Sequence, residues 1–361
     1  MKEKICIILG TRPELIKMSP VIRACERLNL DYFILHTGQH YSYGMDGIFF
    51  EEMELPGVRY NLDVGSGRQG AQTGKMLTGT EKILMKEKPD VVLVEGDTNT
   101  VLAGALVASK LHIKVGHVEA GLRSHDRRMP EEINRVLTDH ISDYLFAPTE
   151  KARGNLLKEG MDEAMISVTG NTIVDAVYQN LEIAERKVDA LKDSGLEPRA
   201  YFLATAHRQE NVDVKARLKG ILNGLKLISM KFSTPVIFPV HPRTYKRIEE
   251  FGLETDGVAM INPLGFLEFL QLEAGARLVL TDSGGVQEES CILNVPCVTF
   301  RDNTERPETV LVGSNVLVGA DSEKILEGAR MMMGEERDWE NPFGDGMTGE
   351  RIVGILMDDK I

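Results

Sequence analysis

Short runs of β-branched and aliphatic residues alternate with amphipathic helical stretches through almost the whole chain, and this alternation constrains the fold more than any other feature. Ile5–Leu9 is a continuous apolar run, as expected of a strand covered on both faces. Pro13 follows where a helix begins, with Leu15, Met18, Ile22 and Cys25 at helical spacing. Tyr32–His36, Val91–Glu95, Val115–Glu119 and Tyr144–Ala147 read as further strands, separated by helices over roughly 71–87, 99–110, 131–141 and 149–159. A second series starts near Tyr201, with strands at Tyr201–Ala206, Val236–Val240, Val258–Ile261, Leu278–Thr281 and Val298–Phe300. The pattern predicts an α/β protein with two Rossmann-like, doubly wound parallel-sheet domains facing across a cleft. Ligands of such folds bind beyond the carboxyl ends of the strands.

The 361 residues suit two domains at ~100–200 residues each. The predicted division is an N-terminal domain over 1–170, a C-terminal domain over 171–346, and a last helix within 347–361 that can cross back to the first domain. An amphipathic helix from about Thr172 to Asp193 spans the join and ends at Ser194-Gly195, before Glu197-Pro198. Forty-two basic residues against 55 acidic ones give a formal charge of −13, the wrong sign for general nucleic-acid binding. No membrane partner is expected either. The first apolar run falls far short of the ~20 residues that span a bilayer. Gly10-Thr11-Arg12-Pro13 follows it at once, without the cleavage site of a signal peptide. Cys6, Cys25, Cys291 and Cys297 lack CxxC pairing and read as small core residues of a reduced, cytoplasmic protein. There is no HExxH, Cys/His cluster or EF-hand loop, so no metal is expected.

The unusual residues fall at strand ends. Val91–Glu95 runs into Gly96-Asp97-Thr98-Asn99, and the next strand runs into Glu119-Ala120-Gly121-Leu122-Arg123. Either acid alone reads as a cap or turn residue; together, on neighbouring strand ends, they point to a shared site. Pro130-Glu131-Glu132 opens a helix, where first-turn glutamates suit the macrodipole, and nearness to Glu119 singles out Glu131. Paired carboxylates push their pKa values apart and equip one for acid work and one for base work. His207, ending the first strand of the second series, is a candidate beside them, and His241 in His241-Pro242-Arg243 is a weaker one. The sharpest motif is Asp282-Ser283-Gly284-Gly285, a strand end, a tight turn and a helix start whose free amides suit an anion such as pyrophosphate. Glu289, one turn in, could accept from ribose hydroxyls, and Arg306 could neutralise a phosphate. Arg12 and Lys17 form an analogous basic turn in the first domain. Neither turn matches GxGxxG or GxxxxGK[ST], so a dinucleotide or Walker-type site is not indicated.

At these residues the chain resembles the non-hydrolysing UDP-N-acetylglucosamine 2-epimerases, which have the two-domain glycosyltransferase-B fold. The resemblance runs from Gly10-Thr11-Arg12-Pro13-Glu14-Leu15-Ile16-Lys17 through Thr37-Gly38-Gln39-His40, Gly96-Asp97-Thr98, His117-Val118-Glu119-Ala120-Gly121-Leu122-Arg123 and Pro130-Glu131-Glu132. It continues through Thr169-Gly170-Asn171-Thr172, His207-Arg208 and Asp282-Ser283-Gly284-Gly285 to beyond Arg306-Pro307-Glu308. It implies C2 deprotonation, loss of UDP to give 2-acetamidoglucal, and re-addition of UDP to give UDP-N-acetylmannosamine, with no external cofactor. Asp97, Glu119 and Glu131 would be the acid/base carboxylates, assisted by His207. Arg12, Lys17, His241, Ser283, Gly284, Gly285, Glu289 and Arg306 would hold UDP, with Phe269 lining the uracil. Read from its sequence alone, Phe269 is a core residue. A homodimer is expected.

Two segments depart from the pattern of many bacterial members. Their Gln-His-x-x-Gln, used in a second, activating substrate site, is Gln39-His40-Tyr41-Ser42-Tyr43 here, and their His-Pro-Asn is His241-Pro242-Arg243. The nearest alternative is a 2-epimerase of a UDP-2,3-diacetamido uronic acid, whose extra carboxylate Arg127 or Arg128 could meet. A glycosyltransferase of the same architecture is a further alternative, with little use for three acids around the sugar.

Overall fold

The computed structural model describes residues 4–39, 43–334 and 337–358. The chain forms two units, Met1–Gln179 with Phe343–Ile361, and Asn180–Pro342. They part inside the helix Thr172–Lys187 rather than before it, at 170/171.

In the first unit the strands are β1 (Lys4–Leu9), β2 (Asp31–His36), β3 (Tyr60–Asn61), β4 (Val91–Glu95), β5 (Lys114–Val118), β6 (Tyr144–Ala147) and β7 (Ile166–Val168). They form one parallel sheet in the order β3-β2-β1-β4-β5-β6-β7. The order reverses between β1 and β4, which opens a crevice at their carboxyl ends. Cys6, Ile8, Phe33, Leu35, Val92 and Val94 cluster with buried residues of the helix Asn99–Lys110. With both faces covered, β1 and β4 are apolar at nearly every position. The edge strands β3 and β7 escape a reading by periodicity because two or three residues show no period.

The final helix, Thr348–Asp358, belongs to the first unit and packs on the helix Arg12–Arg27. A Cβ at Gly349 would lie 2.8 Å from the Pro20 carbonyl, so only glycine allows this approach. The Gly349 amide donates to the buried Asp175 at 2.9 Å, and Arg27 pairs with Glu350 at 2.6 Å.

The second unit holds β8 (Phe202–Thr205), β9 (Val236–Pro239), β10 (Val258–Ile261), β11 (Leu278–Thr281), β12 (Cys297–Thr299) and β13 (Asn315–Leu317), all parallel, in the order β10-β9-β8-β11-β12-β13. Alternate residues feed two cores. Phe202, Ala204, Phe238, Leu278, Leu280 and Val298 face one side, and Leu203, Ile237, Val279 and Cys297 the other. The helix expected from Thr172 to Asp193 is two helices, Thr172–Lys187 and Ala190–Asp193. Asp189 leaves helical geometry (φ −131°, ψ 61°) and caps the second by accepting from the Lys192 amide. All four cysteines are free and buried, and burial pushes the Cys297 thiol up to about 12. Among the described residues no helix is long and apolar enough to cross a membrane, and no group of His, Cys, Asp and Glu could hold a metal ion.

Candidate functional site

In the first unit the chemistry gathers at the carboxyl ends of β1, β4 and β5. Gly96 turns the chain out of β4 with φ +85°, a conformation glycine adopts freely. The His117 ring fixes that turn, with Nε2 2.8 Å from the Gly96 carbonyl and Nδ1 2.6 Å from Asp139 Oδ1. Asp139 also meets Arg123 at 2.7 Å and accepts from the Gly121 amide at 3.2 Å. Burial alone would raise this carboxyl; the charges and hydrogen bonds of His117 and Arg123 hold it below the usual aspartate range.

On that frame Asp97 ion-pairs with Arg135 of the helix Pro130–Ile141, while Asn134 donates to the Asp97 carbonyl at 2.9 Å. Glu119 stands at φ +71°, an uncommon left-handed position for a residue with a Cβ and a form of strain that gathers at functional sites. Its Oε1 lies 2.5 Å from Lys17 Nζ and accepts from Asn171 Nδ2 at 3.3 Å. Asp97 and Glu119 thus follow adjacent strands, and Lys17, expected on a nucleotide, is turned to the carboxylates. Arg12 opens its helix with the guanidinium 4.0 Å from the Phe49 ring centroid. Glu131 and Glu132 part company. Glu132 is buried and accepts from the Ser124 and His125 amides at 2.9 and 2.8 Å, whereas Glu131 is exposed with no hydrogen bond or ion pair among the described residues. Gln39 is buried and accepts from the Thr100 hydroxyl at 2.8 Å; His40, Tyr41 and Ser42 lie outside the described residues.

In the second unit the buried carboxylate of Asp282 organises the loop after β8. It accepts from the His207 amide at 3.0 and 3.1 Å, the Arg208 amide at 3.0 Å and Asn211 Nδ2 at 3.0 Å. The His207 ring, half exposed, sits with Nδ1 3.2 Å from Asp282 Oδ1. His241 caps the helix Pro242–Phe251, accepting from the Arg243 amide at 3.2 Å. Burial, then the charges of His207 and Arg243, lower its pKa.

Ser283 caps the helix Gly284–Ile292, leaving the Gly284 and Gly285 amides in a first turn where N–H groups have no intrahelical acceptor. Around this turn stand Arg208, 3.0 Å from Glu305, Arg301, 2.7 Å from Glu305, and Arg306, 2.7 Å from the buried Glu288. Glu289 is half buried, and its charge helps raise the pKa of the fully buried Glu273, for which burial is the larger cause. Phe269 is half buried against the core cluster of Leu203, Ile237 and Val279.

The structure adds three groups that sequence reasoning left unassigned: Glu95, Glu14 and Asp282. Glu95 closes an apolar strand and looks like its last residue, and Glu14 looks like an ordinary first-turn acid; both are buried. Asp282 was visible inside its motif, and only the fold shows that it grips the His207 loop. The first unit therefore offers carboxylates suited to proton transfer, and the second offers amides and guanidinium groups suited to a phosphorylated ligand.

Comparison with known proteins gives this arrangement a context. The family model of UDP-N-acetylglucosamine 2-epimerase matches residues 23–357. A UDP-N-acetylglucosamine 2-epimerase of Methanocaldococcus jannaschii is 62% identical over 98% of each chain. A UDP-2,3-diacetamido-2,3-dideoxy-D-glucuronate 2-epimerase of Pseudomonas aeruginosa is 45% identical over 98% of this chain and 99% of that one. The crystal structure of the Methanocaldococcus jannaschii UDP-GlcNAc 2-epimerase in complex with UDP-GlcNAc and UDP superimposes with a TM-score of 0.88 at 61% identity, covering 98% of this chain and 99% of that one. The chain belongs to the UDP-N-acetylglucosamine 2-epimerase family, a family of isomerases.

Proposed function

We propose that the chain interconverts UDP-N-acetylglucosamine and UDP-N-acetylmannosamine. The observation that carries this reading is the carboxylate cluster of the first unit, where Asp97 and Glu119 follow adjacent parallel strands and Lys17 sits 2.5 Å from Glu119. A carboxylate takes the C2 proton, the C–H electron pair becomes the C1–C2 double bond, and UDP leaves C1 with the bonding pair. The 2-acetamidoglucal then takes UDP back at C1 and a proton on the other face of C2. Asp97, Glu119 and Glu131 perform the proton transfers, and His207 assists. Arg12, His241, Ser283, Gly284, Gly285, Glu289 and Arg306 hold the nucleotide, with Phe269 against the uracil, while Lys17 pairs with Glu119. Amides at a helix start and Arg306 suit the charge that develops on departing UDP.

UDP-N-acetylglucosamine supplied in D₂O without an acceptor tests the reading by NMR. Both epimers should appear, each with deuterium at C2; epimers formed without label would end the proton-abstraction mechanism. A second reading, epimerisation of a UDP-2,3-diacetamido uronate, is favoured by one feature. Arg128 is paired with Asp126 at 2.8 Å, while the exposed Arg127 has no partner among the described residues and suits an added carboxylate. Turnover of that sugar alone in the same assay would select it. A homodimer fits the apolar surface at Ile133 and Leu137, both 47% exposed and one turn apart on one helix. The buried, free cysteines fit a cytoplasmic setting.

A further inference from the structure

The mechanism above gives no task to Glu95, a buried acid beside its carboxylates. Glu95 ends β4, two residues before Asp97, and its side chain is 3% exposed. Its Oε1 lies 3.4 Å from Lys17 Nζ without an aligned hydrogen bond. The same ammonium lies 2.5 Å from Glu119 Oε1, so the two carboxyl groups share one cation. The charged groups facing Glu95 are Lys17 and Glu14 from the helix Arg12–Arg27, and Glu119 after β5. Glu14 is occupied elsewhere, accepting from the Gly10 amide at 2.6 Å, the Thr11 amide at 3.2 Å and the Thr98 hydroxyl at 2.5 Å.

Lys17 balances one ionised acid and no more. Glu119 has the shorter contact with it and a second donor in Asn171. A second buried anion there would go without compensation, a cost that proteins avoid by keeping the proton. Burial pushes the Glu95 carboxyl well above its ordinary value; Lys17 opposes this, and the charge and hydrogen bond of Glu119 add to it.

We propose that Glu95 is a positioning residue, a neutral carboxylic acid held against Glu119 and Lys17 that keeps Glu119 as the ionised member of the pair and so ready to take a proton. The inference rests on the proposed epimerase chemistry. Glu95 itself touches no substrate in it. A neutral Glu95 donates its O–H towards Glu119 and holds that carboxylate in place. An ionised one would repel it and raise its proton affinity.

The test uses the full chain with Glu95→Gln and Glu95→Ala. Glu95→Ala should lower kcat by about 10²-fold, and Glu95→Gln, a neutral donor of the same size, should recover all but about three- to tenfold of that loss. The acidic limb of kcat/KM should stay within about half a pH unit of wild type in Glu95→Gln, because no charge beside Glu119 has been removed. Were Glu95 ionised, the same variant would lower the apparent pKa of Glu119 and move that limb acidwards by about one unit or more, overturning the proposal. Loss of both turnover and C2 deuterium exchange in a folded Glu95→Gln that still binds UDP would make Glu95 a catalytic acid or base instead, and also overturn it.

Infrared difference spectra of wild type against Glu95→Gln at neutral pH supply a readout independent of turnover. The C=O stretch of a protonated carboxylic acid should be present in wild type and missing from the variant. Its absence from wild type would sink the inference even if the enzyme epimerises. Its presence in a wild type inactive on both sugars would leave the neutral acid standing and remove the proposed function.

Discussion

The strands β4 and β11 occupy equivalent places, each beside the first strand of its unit at the point where the strand order reverses. Beyond β4 come Gly96-Asp97 and, across the next strand, Glu119, with Lys17 set among the carboxylates. Beyond β11 come Asp282-Ser283-Gly284-Gly285 and a helix start ringed by arginines. Each unit also anchors its site with a buried aspartate. Asp139 holds the His117 ring and the Gly121 amide, and Asp282 holds the amides of His207 and Arg208. One topology therefore presents carboxylates suited to proton transfer in one unit and amides and guanidinium groups suited to an anion in the other. The sheet supplies positions, and the residues at the strand ends supply the chemistry.

Catalysis should break along that division. Asp97→Asn and Glu119→Gln should cut turnover by ~10²–10⁴ while UDP affinity stays near wild type. Glu131→Gln belongs in the same series, and because the Glu131 side chain has no partner to lose among the described residues, a fall in its turnover would report chemistry rather than stability. Calorimetry finding that Glu119→Gln weakens UDP as much as a second-unit variant does would dissolve the contrast between the units.

One buried acid from each unit, Glu14 and Asp282, should respond oppositely to pH. Burial raises the Glu14 carboxyl to about 7, against hydrogen bonds from Thr98, Gly10 and Thr11 that lower it. A carboxyl whose folded value lies above its unfolded one supplies stability in full below the unfolded value of ~4.5, and that stability is lost as pH rises through about 7. The amount is on the order of 3 kcal/mol for a fully buried group. Asp282 has the other sign: burial would raise it, but the hydrogen bonds and charge of His207 and the bonds of Asn211 hold it low. Its contribution is present above the unfolded aspartate value and is lost as pH falls through its lower folded value. Denaturant midpoints across this range should decline from acid towards neutral pH in wild type and flatten in Glu14→Gln. An unchanged slope in the variant would assign the decline elsewhere.

The smallest effect expected is on the nucleotide. Arg306→Ala should weaken UDP by roughly 1.5–3 kcal/mol, the worth of a charge-assisted contact, with little change in C2 exchange at saturating substrate. Unchanged affinity would leave Arg306 as the partner of the buried Glu288 and nothing more.

Much of this was legible along the chain. The strands Val91–Glu95, Tyr144–Ala147 and Leu278–Thr281 have the bounds their apolar runs predict, because both sheet faces are covered and nearly every residue of such a strand is buried; the half-exposed edge strand Val258–Ile261 keeps its predicted bounds as well. The break at Asp189 was not, since a helix restart made by a single side-chain cap hides inside an amphipathic pattern. At the sites, Asp97 and Glu119 stood out as a pair on neighbouring strand ends, although either alone reads as a cap or turn residue, and Ser283 stood out through its motif of strand end, tight turn and helix start. Glu95 did not stand out, because it lies inside the run itself.

What the sequence by itself determined is the parallel architecture and the place of the chemistry, both products of local order: apolar runs with period-free burial, helices between them, and polar turns at their carboxyl ends. Only the tertiary structure decided the surroundings of each acid. Glu131 and Glu132 are neighbours in sequence, yet one faces solvent and the other is gripped by the Ser124 and His125 amides. Lys17 and Glu119 are far apart in the chain and meet at 2.5 Å, with Glu95 buried beside them. Protonation depends on burial and on the nearest opposite charge, and both are set by contacts that parallel strands bring together from distant parts of the chain.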